Sequence, residues 1–129
     1  MDPHKSHILN RYVIQRHTRG NEVHWDFMLE LEGSLKTWRI DVPPEELVQQ
    51  SAKAQKIADH PLRFLTYEGP VNQGTGRVAI ADSGVYTVVA EPHRLEICLQ
   101  GNILKAVFRL EDLGDGEWRL AANSRFSHT

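Results

Sequence analysis

A single cysteine, Cys98, stands among the 129 residues. That scarcity excludes an internal disulfide framework and any cysteine-rich zinc site, and it suits a reducing compartment. Histidine, with seven copies, becomes the nitrogen ligand available in number. No stretch approaches the roughly 20 apolar residues that span a bilayer. Met1 to His7 lacks the apolar core of a signal peptide, so the expectation is a soluble, cytoplasmic protein with no membrane contact. Neither sign of charge dominates, since 15 Lys and Arg stand against 17 Asp and Glu for a formal net charge of −2. A histone-like hold on nucleic acid through bulk charge is thereby excluded, because counterion release needs a surplus of basic residues at the contact. A local basic patch stays open. Linkers rich in Pro, Gly or Ser, repeats and low-complexity tracts are also missing. One domain is expected over residues 1–129, with short tails at 1–10 and 123–129.

What is present is ordinary globular composition, 40% hydrophobic and 25% charged, too apolar for a disordered chain. Tyr12 to His17 and His24 to Glu32 alternate apolar and polar residues around a turn-forming Thr18-Arg19-Gly20-Asn21, the pattern of a β-hairpin. Ser34 to Ile40 reads as a third strand, stopped by Pro43-Pro44 because proline cannot donate to a ladder. Pro44 followed by Glu45 and Glu46 reads as a helix start. Leu47, Val48, Ala52, Ala54 and Ile57 then keep helical spacing up to His60-Pro61. Beyond Leu62 the chain returns to short β-like runs at Arg63–Tyr67, Gly76–Ala81, Gly84–Glu91, Leu95–Gln100, Ile103–Leu110 and Trp118–Ala122. The expected fold is mainly β, a compact closed or nearly closed β-barrel of about eight short strands with one flanking helix, since closure removes exposed edges.

Side chains of an extended strand alternate faces, so Trp25, Phe27, Leu29 and Leu31 share a core side while His24, Asp26, Met28 and Glu30 share the other. His24 and Asp26 are then adjacent potential ligands. Gln15 and His17 repeat the arrangement on the preceding strand, and hairpin pairing can bring His17 to the His24/Asp26 pair. Two imidazoles and one carboxylate on a rigid sheet leave coordination positions open and suit Mn²⁺ or Zn²⁺ better than Ca²⁺. The plainer alternative is the solvated face of a two-sided strand. Spacing alone does not choose between them.

Val13-Ile14-Gln15-Arg16-His17, His24-Trp25-Asp26-Phe27-Met28-Leu29-Glu30 and Gly33-Ser34-Leu35-Lys36-Thr37-Trp38 resemble, in order, the 3′-phosphoesterase module of bacterial DNA ligase D. Asp59-His60-Pro61-Leu62 with Tyr67-Glu68-Gly69, then Gly74 to Tyr86, Ile103 to Leu110 and Trp118 to Leu120, continue the likeness over most of the chain from Tyr12 to Ala122. Ordered blocks are far more specific than any one motif. The resemblance implies a metal-dependent β-barrel that trims 3′ ends, removing a terminal ribonucleoside and then a 3′-phosphate for repair. It implies metal ligation by His17, His24 and Asp26 and catalytic positions at Gln15 and His60, with His60 as a phosphate contact or proton donor. Nucleic-acid 3′ ends, held weakly or with assistance, and a DNA ligase or polymerase are the implied partners.

Several positions depart from the family pattern. Met28 stands where the family has an arginine, and Phe64 where it has a tyrosine. The segment after Trp38 lacks the family's lysine, and the family's N-terminal extension is expected to be absent. The metal set is kept while the phosphate-binding groups are thinned. Arg16, Arg39 or Arg63, with Arg19 a further candidate, could supply the missing clamp. Three outcomes stay open: a phosphoesterase with a different substrate, a metal-binding barrel that recognises a nucleic-acid end or a repair partner without catalysis, and a vestigial structural site. A cupin-like metalloenzyme is the alternative enzyme class, resting on Gly20, His24, Asp26, Glu30, Gly33 and a late His93.

Overall fold

The computed structural model describes residues 10–123. The expected tails at 1–10 and 123–129 therefore lie outside the described residues, apart from Asn10, which opens the first strand, and Asn123. The elements are β1 (Asn10–Arg19), β2 (Glu22–Leu31), β3 (Ser34–Ile40), β4 (Ala52–His60), β5 (Gly69–Val71), β6 (Gly76–Glu91), β7 (Arg94–Gly101), β8 (Lys105–Gly114) and β9 (Glu117–Ala122). Short 3₁₀ turns lie at Pro44–Glu46, Leu62–Leu65 and Asn72–Gly74. The strand order β1-β2-β3-β4-β9-β8-β7-β6 closes on itself because β6 also pairs with β1, and every pairing is antiparallel. β5 adds to β6 outside that ring. The closed barrel expected from the sequence is therefore present.

The barrel interior holds Tyr12, Ile14, Phe27, Leu29, Trp38, Ile40, Leu47, Ala52, Ala54, Ile97, Leu99, Phe108, Leu110 and Leu120 among its buried residues, with Trp25 and Trp118 packed against them. A second apolar cluster lies on the outer side of β1 to β3, where Val13, Met28 and Leu35 meet Phe64 and Leu65 of the second 3₁₀ turn. That turn is a lid on the outside of the barrel. It makes Met28 fully buried, although the strand pattern puts this residue with the polar set. Leu31, expected in the core, is 39% exposed at the end of β2.

Two elements differ from the sequence pattern. The expected helix over Pro44 to Ile57 is a single 3₁₀ turn followed by β4. Ala52 and Ala54 are buried while Lys53 and Gln55 are exposed, a period of two that the small side chains leave ambiguous in the sequence. Pairing with β3 on one edge and β9 on the other satisfies the backbone and overrides helical propensity. Arg63 to Tyr67, expected as a strand, carries the 3₁₀ turn at Leu62–Leu65.

Gly76–Ala81 and Gly84–Glu91 are one long strand, whose first part pairs with β1 and whose second part pairs with β7. Gly84 is no turn: a Cβ there would come within 2.1 Å of the Gln100 carbonyl oxygen. Nearby Asp82, 2% exposed, accepts hydrogen bonds from the Tyr12 hydroxyl (2.7 Å) and from the backbone N–H groups of Asn102, Ile103 and Leu104 (3.0, 2.9 and 3.1 Å). This carboxylate ties the β7–β8 turn to the seam that closes the barrel.

Candidate metal centre and adjoining cavities

The β1–β2 register places His17 opposite His24 and Gln15 opposite Asp26. With Tyr12, Ile14 and Phe27 facing inward, alternation turns these four polar side chains to the outer face, beside the apolar cluster of Val13 and Met28. His17 Nδ1 lies 3.1 Å from His24 Nε2 and 3.9 Å from Asp26 Oδ2, and His24 Nε2 lies 3.2 Å from Asp26 Oδ1. One donor atom from each residue falls within 4.8 Å of the others. Asp26 is 4% exposed, so this is not a solvated strand face.

Donors held by one small cation at about 2.0–2.2 Å sit roughly 3–3.5 Å from one another. The His17–His24 and His24–Asp26 separations match that spacing, and the 3.9 Å between His17 and the carboxylate is slightly longer. Asp26 Oδ1 is buried without a hydrogen bond despite its approach to His24, and a buried carboxylate oxygen left without a partner is costly. The donor set therefore fits a divalent cation. Burial pushes the His24 imidazole below its ordinary pKa, opposed by Asp26 and helped by Arg39 and His17, which favours the neutral ring that ligates metal. His17 Nε2 is also buried without a partner, packed so close to Gly76 that a Cβ there would lie 2.8 Å away.

A cavity of about 240 Å³ opens beside this cluster, lined by Gln15, His17, Asp26, Arg39, His60 and Phe64 among others. The β3–β4 register sets His60 opposite Leu35 and Ile57 opposite Thr37. His60 Nδ1 is 3.0 Å from Thr37 Oγ1 and 3.2 Å from the Ala58 carbonyl oxygen, while Thr37 Oγ1 donates to the Leu35 carbonyl at 3.0 Å. The Thr37 proton is thus used and the Ala58 oxygen only accepts, so His60 Nδ1 carries the hydrogen and Nε2 is the free ring nitrogen. The ring also packs edge-on against Phe64, with centroids 5.5 Å apart.

Gln15 is buried, and its Nε2 donates to the carbonyl oxygens of Phe64 (3.0 Å) and Tyr67 (2.9 Å). Both amide protons hold the outer lid on the barrel, which leaves Oε1 for any contact in the cavity. Among the candidate cations, Arg39 sits opposite Asp26 and lines the cavity. Arg16 faces away from His17 by strand alternation, and Arg63 is stacked over the Phe64 and Tyr67 rings at 4.5 and 5.5 Å. His93, which a cupin-like site would need, lies between β6 and β7 against Glu91, Arg94 and Glu111, with no share in the cavity. Thr37 and Gly76 escaped the sequence reading. Threonine within a strand and glycine at its start carry no signal until register shows what they face.

The family model of the DNA Ligase D 3′-phosphoesterase domain matches residues 15–112. The multifunctional non-homologous end joining protein LigD of Pseudomonas aeruginosa is 37% identical over 89 residues, covering 65% of this chain and 10% of that protein. The multifunctional non-homologous end joining DNA repair protein LigD of Mycobacterium tuberculosis is 31% identical over 117 residues, covering 84% of this chain and 15% of its own length. This chain thus spans only a small part of these relatives. A barrel of this topology, carrying the paired blocks in order, belongs to the DNA ligase D 3′-phosphoesterase domain family.

Proposed function

We propose that this protein is a phosphoesterase that acts at the 3′ ends of nucleic-acid strands in end-joining repair, with Mn²⁺ or Zn²⁺ held by His17, His24 and Asp26. The observation that carries this reading is the convergence of those three donors at the wall of a cavity that also holds His60. A divalent ion bound there supplies a Lewis acid for a phosphoryl oxygen and a water of lowered pKa. His60, fixed through Nδ1, offers Nε2 to a phosphate oxygen, and in its protonated form it gives a proton to the leaving oxygen. Thr37 orients that ring. Gln15 ties down the backbone of Phe64 and Tyr67 and so holds the Phe64 ring at the cavity wall, and Arg39 supplies a guanidinium to the lining. The substrates are strands ending in one ribonucleotide or a 3′-phosphate, and a ligase or polymerase that needs a 3′-hydroxyl is the functional partner.

A non-catalytic end-binding barrel is the second reading. The burial of Met28, where the family has an arginine, favours it. Incubation with Mn²⁺ and a DNA primer ending in one ribonucleotide or in a 3′-phosphate separates the two. Shortening or phosphate release that stops on chelation supports the phosphoesterase. Metal-dependent binding of the end without turnover supports the binder and refutes the enzyme.

A further inference from the structure

A second cavity, of about 320 Å³, adjoins the first and shares Arg39 with it. Its volume falls in the roughly 300–1,000 Å³ range of small-ligand sites. His24 and Arg39 form the wall nearest the cluster, and Asp41, Lys53, Gln55 and Glu117 form the rest of its polar lining. The strand registers explain the alignment. Gln15 pairs with Asp26, Asp26 with Arg39, Arg39 with Gln55, and Gln55 with Glu117, one row across five strands. From Asp26 to Glu117 the row crosses three strand spacings, about 14 Å. That reach exceeds a single phosphate group.

Along the row the Asp26 carboxylate is followed by the Arg39 guanidinium, the Gln55 amide and the Glu117 carboxylate. Arg11, Lys36, Lys56, Arg94 and Arg119 are each committed to a carboxylate. The side chains of Arg39 and Lys53 make no hydrogen bond or salt bridge with another described residue. An unpaired guanidinium beside an ammonium recognises a phosphodiester. Asp41 and Glu117 repel a second anion, yet they accept hydrogens from sugar hydroxyls or base amino groups.

We propose that the second cavity is the subsite for the nucleotide joined to the reacting phosphate, so that the protein holds a strand end and not an isolated phosphate monoester. Arg39 bridges the two cavities, Lys53 faces the phosphodiester, and Gln55, Asp41 and Glu117 meet the hydroxyl and base edges. This inference rests on the phosphoesterase reading.

The test uses a thymidine octamer with a 3′-hydroxyl and a 5′-fluorescein, which the enzyme would release and not cut. Binding is followed by anisotropy with Mn²⁺ present, for wild type, Lys53→Gln and Arg39→Gln over a range of salt. Lys53 is exposed, so its substitution keeps the fold, which circular dichroism checks. Each variant is expected to bind at least fivefold more weakly, with a log–log salt slope shallower by about 0.7, the loss of one contact to a single strand. Wild-type affinity and slope in both variants would overturn the subsite. Phosphate release from a 3′-phosphorylated octamer runs in parallel. Release by wild type with unchanged variant binding refutes the subsite alone, whereas no release by wild type refutes the phosphoesterase reading.

Discussion

Replacing Met28 with arginine restores the residue that the family pattern has at this position, and it tests whether the outer apolar cluster is a packed core in its own right. Met28 is fully buried against Val13, Leu35, Phe64 and Leu65. Removing its side chain forfeits roughly 1.5–3 kcal/mol of apolar burial. A guanidinium in its place carries a desolvation penalty of several kcal/mol, reduced where the side chain can reach toward Asp26 and the cavity. A net loss of about 3–5 kcal/mol follows, a large share of the roughly 5–15 kcal/mol expected for a domain of this size. With a urea slope of about 2 kcal/mol per molar, the middle of the usual range, the unfolding midpoint should fall by about 1.5–2.5 M. Tryptophan fluorescence reports it, because Trp25, Trp38 and Trp118 all belong to the interior packing. Met28→Leu, a volume-conserving change, should cost less than about 1.5 kcal/mol. An arginine variant that unfolds at the wild-type midpoint and cleaves faster would refute the reasoning, since it would mean that the site opens onto this position.

Two further substitutions address the seam and the cluster. Asp82→Ala strips the acceptor from the Tyr12 hydroxyl and three backbone N–H groups, and a stability loss of about 3–5 kcal/mol is expected in chemical denaturation; a loss below about 1 kcal/mol would show that the clamp is dispensable. Gly76→Ala brings a methyl group to 2.8 Å from His17 Nε2 and 3.3 Å from the Thr18 carbonyl oxygen, so Mn²⁺ affinity should drop about tenfold through displacement of the ring. Calorimetric titration checks this, and unchanged affinity would mean that His17 does not ligate.

The first three strands were legible because their apolar residues alternate and a Gly-Asn turn joins the first pair. β4 was not, since Ala52 and Ala54 are too small to declare a face and Leu47 adds a helical echo. The break expected near Ala81 reflects a bulge where the β1–β6 register shifts between Ile14 and Gln15, a tertiary event with no local signature. At the site, the His-x-Asp pattern named two donors, and hairpin register delivered the third. Gln15 was singled out for chemistry, but its two protons are spent on the carbonyls of the lid. The outer cluster was invisible because Met28 alternates with polar residues. Only the 3₁₀ turn at Leu62–Leu65, distant in sequence, explains its burial.

The central claim is that His17, His24 and Asp26 form a divalent metal centre on the outer face of the barrel. Calorimetric titration of Mn²⁺ into wild type and His24→Ala, each shown to be folded by circular dichroism, tests it most directly. Binding of about one equivalent by wild type and none by the variant is the predicted result. Equal metal binding by the two proteins would contradict the account.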